Sequence, residues 1–233
     1  MKTRIINLIL LMVAFAMTAI SLSVLPDIVG VHFDIHGNPD RFGSKYELLI
    51  LPLAMLVMQV VFEIVCACLK RTLDKTDDEK ERAEATSNLK QIGIVSVVTS
   101  IVFIFVNAFS LYASYSSVSV SAPSVDIMKC IGIIIGLTLV IMGDRMPKTR
   151  INSILGFRLP WTMYNDVTWR KSNLFASYLM MGAGVLSAVC ALIFKGFVAM
   201  IILLVLIVLS ASISTCYAYV VYKREVENDK VEK

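Results

Sequence analysis

The chain has 233 residues, of which 57% are hydrophobic and only 17% charged, with a mean hydropathy of +0.75. A soluble domain is nearer half apolar and a quarter charged, so this composition excludes an ordinary water-soluble fold and points to a membrane protein. The formal net charge of +4, from 22 Lys and Arg against 18 Asp and Glu, matters less than where those charges fall.

A helix needs about 20 apolar residues to cross the hydrocarbon layer. Six continuous apolar runs are read as such helices, at residues 5–25, 48–69, 92–115, 127–143, 174–194 and 197–222. The runs do not alternate in polarity, which rules out spanning strands. The expected fold is therefore all-α, a six-transmembrane helix bundle forming one membrane domain over residues 1–233. Lys2 and Arg4 precede the first run as they would in a signal peptide, but the run exceeds the usual signal core of about 7–15 residues. No small-x-small site precedes Pro26–Asp27, so the run is read as an uncleaved span. No close internal repeat stands out.

The connecting segments carry the polar chemistry. Loop one, residues 26–47, contains His32-Phe33-Asp34-Ile35-His36-Gly37-Asn38-Pro39-Asp40 and then Lys45. Gly37-Asn38-Pro39-Asp40 is turn chemistry: glycine supplies positive φ, proline fixes its own φ, and Asn or Asp closes an Asx turn. His32 and His36 are the only histidines, and on a helix their spacing would suit a metal. The residues between and after them argue against a helix. A hydrogen-bonded loop is the simpler reading, with a metal or other ligand held by these histidines, Asp34 and Asp40 as the alternative.

Span two carries Gln59 and Glu63 on one face, and span three carries Asn107. A carboxylate within a span is a functional candidate by default, but Glu63 shows no basic partner in the sequence. A small-molecule or proton-linked transporter would need these three to line one cavity. Loop two is charged, and Thr76 followed by Glu79 fits a capping box that starts a helix running into span three. Loop three, residues 116–126, is serine-rich and reads as solvated loop. Gly132 and Gly136 on span four favour close helix packing. The five cysteines lie in apolar stretches without metal or disulfide spacing and read as buried small hydrophobes.

Loop four, residues 144–173, holds six basic and two acidic residues and both tryptophans. Its cations alternate with Ile151, Ile154, Leu155, Phe157, Leu159 and Trp161, which suits a segment lying in the headgroup layer against anionic lipid. A docking surface for a cytoplasmic partner is the alternative. Asn165 or Thr162 can cap a helix with Asp166 in its first turn and Trp169 one turn along. Only Lys195–Gly196 join spans five and six, which predicts a tight antiparallel hairpin. With both termini inside, eighteen of the 22 Lys and Arg fall on the cytoplasmic side, a strong positive-inside asymmetry. Tyr217, Tyr219 and Tyr222 then form part of an interfacial aromatic belt. No nucleophile–base motif, zinc motif or phosphate-binding loop occurs, so an enzyme is disfavoured and no cofactor or direct nucleic-acid contact is expected.

Loop four resembles the signature of the Sdp immunity-protein family (SdpI) of bacterial membrane proteins. The matching residues are Gly143, Pro147, Lys148, Arg150, Asn152, Gly156, Arg158, Pro160, Trp161, Thr162 and Trp169. Leu25, Pro26, His32, Phe33, Asp34, Gly37, Pro39, Asp40 and Lys45 resemble the small domain of unknown function that often precedes that core. Asp144 stands where the family usually has Asn, and Ser172-Asn173 where it often has Thr-His. The resemblance implies a multi-pass protein of the cytoplasmic membrane giving immunity to a secreted peptide toxin or bacteriocin. It also implies signalling, by holding a cytoplasmic transcriptional repressor at the membrane. His32, Asp34, His36, Asp40 and Lys45 would then face the toxin, and the loop-four residues would face the inner partner.

Overall fold

The computed structural model describes residues 2–34, 37–119, 126–151 and 156–231. Six helices dominate it: α1 (Lys2–Val24), α2 (Ile50–Lys75), α3 (Glu79–Val118), α4 (Ile127–Arg145), α5 (Asp166–Ile193) and α6 (Gly196–Val231). All six are long and apolar enough to cross a membrane. Their surface is the inverse of a soluble protein's: Ile9, Val57, Leu186 and Leu204 are exposed, while Ser96, Ser100, Asn107, Ala183 and Ser187 are buried. Lipid is as apolar as leucine, so close packing of small and polar side chains holds such helices together.

α1, α2 and α3 pack as one group and α4, α5 and α6 as another, with α3 meeting α4 between them. The first group is joined by hydrogen bonds across its helices. Asn7 on α1 donates to Ser96 on α3 (2.9 Å) and accepts from Ser100 (3.2 Å), while Gln59 on α2 donates to the Asn7 carbonyl (2.9 Å). Further along, Asn107 donates to Thr18 (3.2 Å) and to the Ala14 carbonyl (3.3 Å).

The second group is joined by glycine. A Cβ on Gly136 would lie 2.7 Å from the Gly184 carbonyl oxygen, and one on Gly184 would lie 2.5 Å from the Gly136 oxygen. Backbone thus meets backbone where α4 crosses α5. Asp126 caps α4 by accepting from the Lys129 amide (3.1 Å) and also accepts from the Gly196 amide (2.9 Å), which ties the short α5–α6 turn to the start of α4.

Local sequence explains the helix ends, with some corrections. Asp78, not Thr76, is the N-cap of α3, accepting from the Lys80 amide (2.8 Å). Thr76 ends α2 and its hydroxyl reaches Glu81 instead (2.5 Å). The helix nonetheless runs unbroken into the apolar span, giving α3 its 40 residues. Its far end includes Ser116 and Ser117, which the serine-rich composition suggested were loop. No cysteine belongs to the buried core: Cys68 and Cys216 are exposed and Cys66, Cys130 and Cys190 half-buried, so these thiols face outward or the edges of the bundle.

Loop one folds as an antiparallel hairpin of β1 (Ile28–Phe33) and β2 (Pro39–Ser44). Gly37 takes a φ of +83° at its tip, and the Asp34 carboxylate closes the turn by accepting from the Asn38 amide (2.8 Å). A 3₁₀ turn over Lys45–Leu49 leads into α2.

The Gly136 contact gives a direct test. Gly136→Leu should destabilise the protein by about 1–3 kcal/mol through overpacking, seen as a lower melting temperature in detergent. Gly182→Leu should leave the melting temperature unmoved, because nothing lies within 4 Å of a Cβ there.

Candidate functional sites on the two loops

The hairpin is held against α3 by its backbone. The Gly30 amide donates to the Ser117 hydroxyl (2.9 Å), and the Ser114 hydroxyl donates to the Gly30 carbonyl (2.7 Å). Val29 is fully buried beside Leu25, Leu48 and Leu111. A Cβ on Gly30 would lie 2.9 Å from Ser117 Cβ and from Pro39 Cβ, so glycine alone allows this approach.

Four of the five loop-one candidates are described, and they divide. His32 and Asp40 face each other across the strands, Nδ1 to Oδ1 at 2.5 Å, with the imidazole two-thirds exposed. Lys45 instead closes the hairpin's base, donating to the Leu25 carbonyl (3.1 Å) and pairing with Asp27 (3.2 Å), and its side chain is only 16% exposed. Asp34 builds the turn. His36 lies outside the described residues, and among the described residues no group of His, Cys, Asp or Glu could hold a metal ion.

Loop four is built on the first turns of α5. Asn165 and Thr168 form a reciprocal capping box, so of the two capping residues anticipated Asn165 is the one used. Thr162 is fully buried: its hydroxyl accepts from the Leu159 amide (2.9 Å), and its carbonyl accepts from the Thr168 hydroxyl (3.2 Å). The buried Trp169 indole donates to the Thr149 carbonyl (2.9 Å). Asn173, also buried, accepts from the Phe157 amide (2.7 Å) and donates to the Trp169 carbonyl (3.0 Å). Gly156 has a φ of +109°, and a Cβ there would lie 2.7 Å from Asn173 Oδ1 and 2.8 Å from the Trp169 ring. Gly156, Thr162, Trp169 and Asn173 therefore shape the loop from within.

Other signature residues lie at the loop's surface or bind it to its neighbours. Arg150, Arg158 and Pro160 are exposed, and Lys148 pairs with Asp144 (2.7 Å) one turn back, beside half-buried Pro147. Trp161 meets Tyr219 edge-on at 5.9 Å, and Tyr164 meets Tyr222 at 5.2 Å, which binds the loop to the end of α6. Lys171 pairs with Glu225 on α6 (3.0 Å). Asn152 lies outside the described residues, as do Ile154 and Leu155.

α3 also reaches this loop: Ser87 donates to the Lys148 carbonyl (2.9 Å), and Lys80 pairs with Asp166 at the start of α5 (3.1 Å). Sequence reasoning missed both these contacts and those of Ser114 and Ser117. A signal was present, since Ser96, Ser100, Asn107 and Ser114 recur at helical spacing along one face.

The intramembrane candidates separate. Glu63 does have a basic partner, forming an ion pair with Arg4 at the start of α1, and it lines a cleft there. Gln59 and Asn107 do not line that cleft and instead occupy the two separate hydrogen-bond clusters between α1 and α3.

Residues 148–218 match the SdpI/YfhL protein family, and residues 9–56 match a domain of unknown function, DUF1648. The chain is 27% identical over 226 residues to "Immunity protein SdpI" of Bacillus subtilis (strain 168), covering 96% of this chain and 98% of that one. It is also 38% identical over 60 residues to an uncharacterised protein of Archaeoglobus fulgidus, a stretch covering 26% of this chain and 33% of that relative. No solved structure matches it.

Two tests follow from the loop-four geometry. Asn173→Leu strands the Phe157 amide and should cost about 1–3 kcal/mol, read as a lower melting temperature with Trp169 fluorescence shifted to the red. The Asp229 carboxylate, accepting from Tyr164 (2.7 Å), pushes that phenol's pKa above its ordinary value. This contact is at full strength below the ordinary tyrosine pKa and is lost as pH rises through the raised one. An ultraviolet titration of the protein minus that of Tyr164→Phe should show a late-ionising phenol, and Asp229→Asn should bring it back down. With the hairpin signature on one loop and the loop-four signature on the other, the chain is similar to the SdpI/YfhL protein family over residues 148–218 and to "Immunity protein SdpI" over nearly its whole length.

Proposed function

We propose that this protein is a bacterial membrane immunity protein that protects against a secreted peptide toxin and also signals by retaining a cytoplasmic repressor at the membrane. Near-full-length similarity to "Immunity protein SdpI" supports the immunity function. The observation that carries the signalling reading is α3, one helix whose far end binds the hairpin through Ser114 and Ser117 and whose near end binds loop four through Lys80 and Ser87. An excess of Lys and Arg on the segments grouped with the termini supports an orientation with both termini in the cytoplasm. The hairpin is then the outer, toxin-facing end, with His32 and Asp40 on its surface. Loop four is the inner end, with Arg158 offered to a partner or to anionic lipid.

In this scheme toxin bound at the hairpin shifts α3, and α3 moves the Asp166 end of α5, changing what the arginine face of loop four presents. Coupling of this kind requires two states that both ends bias. The test is survival of a toxin-sensitive bacterium expressing the protein and challenged with the peptide toxin of its own locus or an Sdp-like toxin. Expression should raise survival, and His32→Ala or Trp161→Ala should remove the gain while the protein stays in the membrane. Absence of any protection by wild-type protein confirmed in the membrane, against both toxins, would refute the reading. Toxin-dependent recruitment of a fluorescent repressor should be lost in Arg158→Ala, and unchanged recruitment would remove loop four from the signalling scheme.

A further inference from the structure

A cleft of about 460 Å³ opens between the starts of α1 and α3 and the end of α2. It lies at the end of the bundle where the apolar runs of all three helices give way to charge. Arg4, Lys70 and Lys90, one from each helix, line it together with Glu63. Arg4 is engaged by Glu63, which leaves the two lysines as the cleft's uncompensated charge. Neither lysine has an ion-pair partner among the described residues. Thr3 and Thr86 bring hydroxyl groups to the same wall, and Phe62, Leu89 and Ile94 form an apolar flank.

A cation-lined hollow with hydroxyl donors at its mouth and an apolar side suits an anion that carries a hydrocarbon tail. A carboxylate ligand would be less well served, since Glu63 already occupies one side and its pairing with Arg4 leaves two separated ammonium groups. Two such groups match the several oxygens of a phosphate as point charges. The geometry points to a phosphate-group site at headgroup level, occupied by an anionic phospholipid whose acyl chain lies along Phe62, Leu89 and Ile94. This site is separate from loop four, whose cations sit on the α4–α6 group, and it does not depend on the immunity function. A soluble phosphate is the other source of the same chemistry.

Purified wild-type protein is offered phosphatidylglycerol and phosphatidylcholine in mixed micelles, and the lipid it retains is counted by native mass spectrometry. Phosphatidylglycerol should be retained preferentially, and Lys70→Gln with Lys90→Gln should cut that preference roughly tenfold or more. Both lysines are exposed, so the double variant keeps the fold. Lys2→Gln with Arg71→Gln removes the same charge at a similar depth but outside the cleft, and should leave the preference within about twofold. In a second arm sodium phosphate is added without lipid. A rise in wild-type melting temperature that is missing from the Lys70/Lys90 double variant would assign the site to soluble phosphate. An equal loss of lipid in both double variants, or no response to either lipid or phosphate, would overturn the proposal.

Discussion

Inside the hydrocarbon layer a polar side chain has no water to bond, and Asn107 meets that constraint by bonding across to α1. Its amide donates to Thr18 and to the Ala14 carbonyl, while Asn7, Ser96, Ser100 and Gln59 repeat the arrangement about two turns nearer the termini. Interhelical bonds of this kind contribute only about 0.6 kcal/mol each on average, yet they set which faces of α1, α2 and α3 meet. The same face of α3 continues to Ser114, which receives the hairpin, while Ser87 and Lys80 near the start of the helix receive loop four. At about 1.5 Å per residue, its 40 residues extend roughly 60 Å, about twice the thickness of the hydrocarbon layer.

The two helix groups reach close packing by different chemistry. α1–α3 rely on amide and hydroxyl side chains, whereas α4 and α5 meet through Gly136 and Gly184 with almost no side chain between them. Glycine contact gives dispersion and shape without needing a hydrogen-bond partner, and it tolerates almost no enlargement. Polar contact tolerates modest shifts as long as donors and acceptors still find each other. The element that touches both loops belongs to the polar group, while loop four is anchored on the glycine-packed one.

The spans were legible because apolar length is a strong signal, and so was the glycine pair on α4. The tip of the hairpin was legible from Gly37 and Asn38, but its strands were not. Each strand has only six residues and carries a glycine, and what makes them a sheet is docking on Ser114 and Ser117, which are far away in sequence. The pairing of Glu63 with Arg4 was hidden for the same reason, since the two residues are 59 positions apart. In loop four the signature residues could be picked out, yet the sequence could not tell those that build the loop from those that face outward. Trp169 and Thr162 turned inward because each has a backbone partner there, and Arg158 stayed outside because it has none among the described residues. Asn173 shows the same limit: it was noted only as a departure from the family pattern, and it is the side chain that joins Phe157 to α5.

The two-residue turn between α5 and α6 also bears on how the protein is made. Residues 194 and 195 give no slack for α5 to cross the bilayer while α6 waits on the far side, so the two must enter as one helical hairpin. The clip from Asp126 to the Gly196 amide can close only after α4 is in place. Synthesis therefore delivers the glycine-packed group in a fixed order, with the start of α4 waiting at the membrane surface as the receptor for a hairpin that arrives whole.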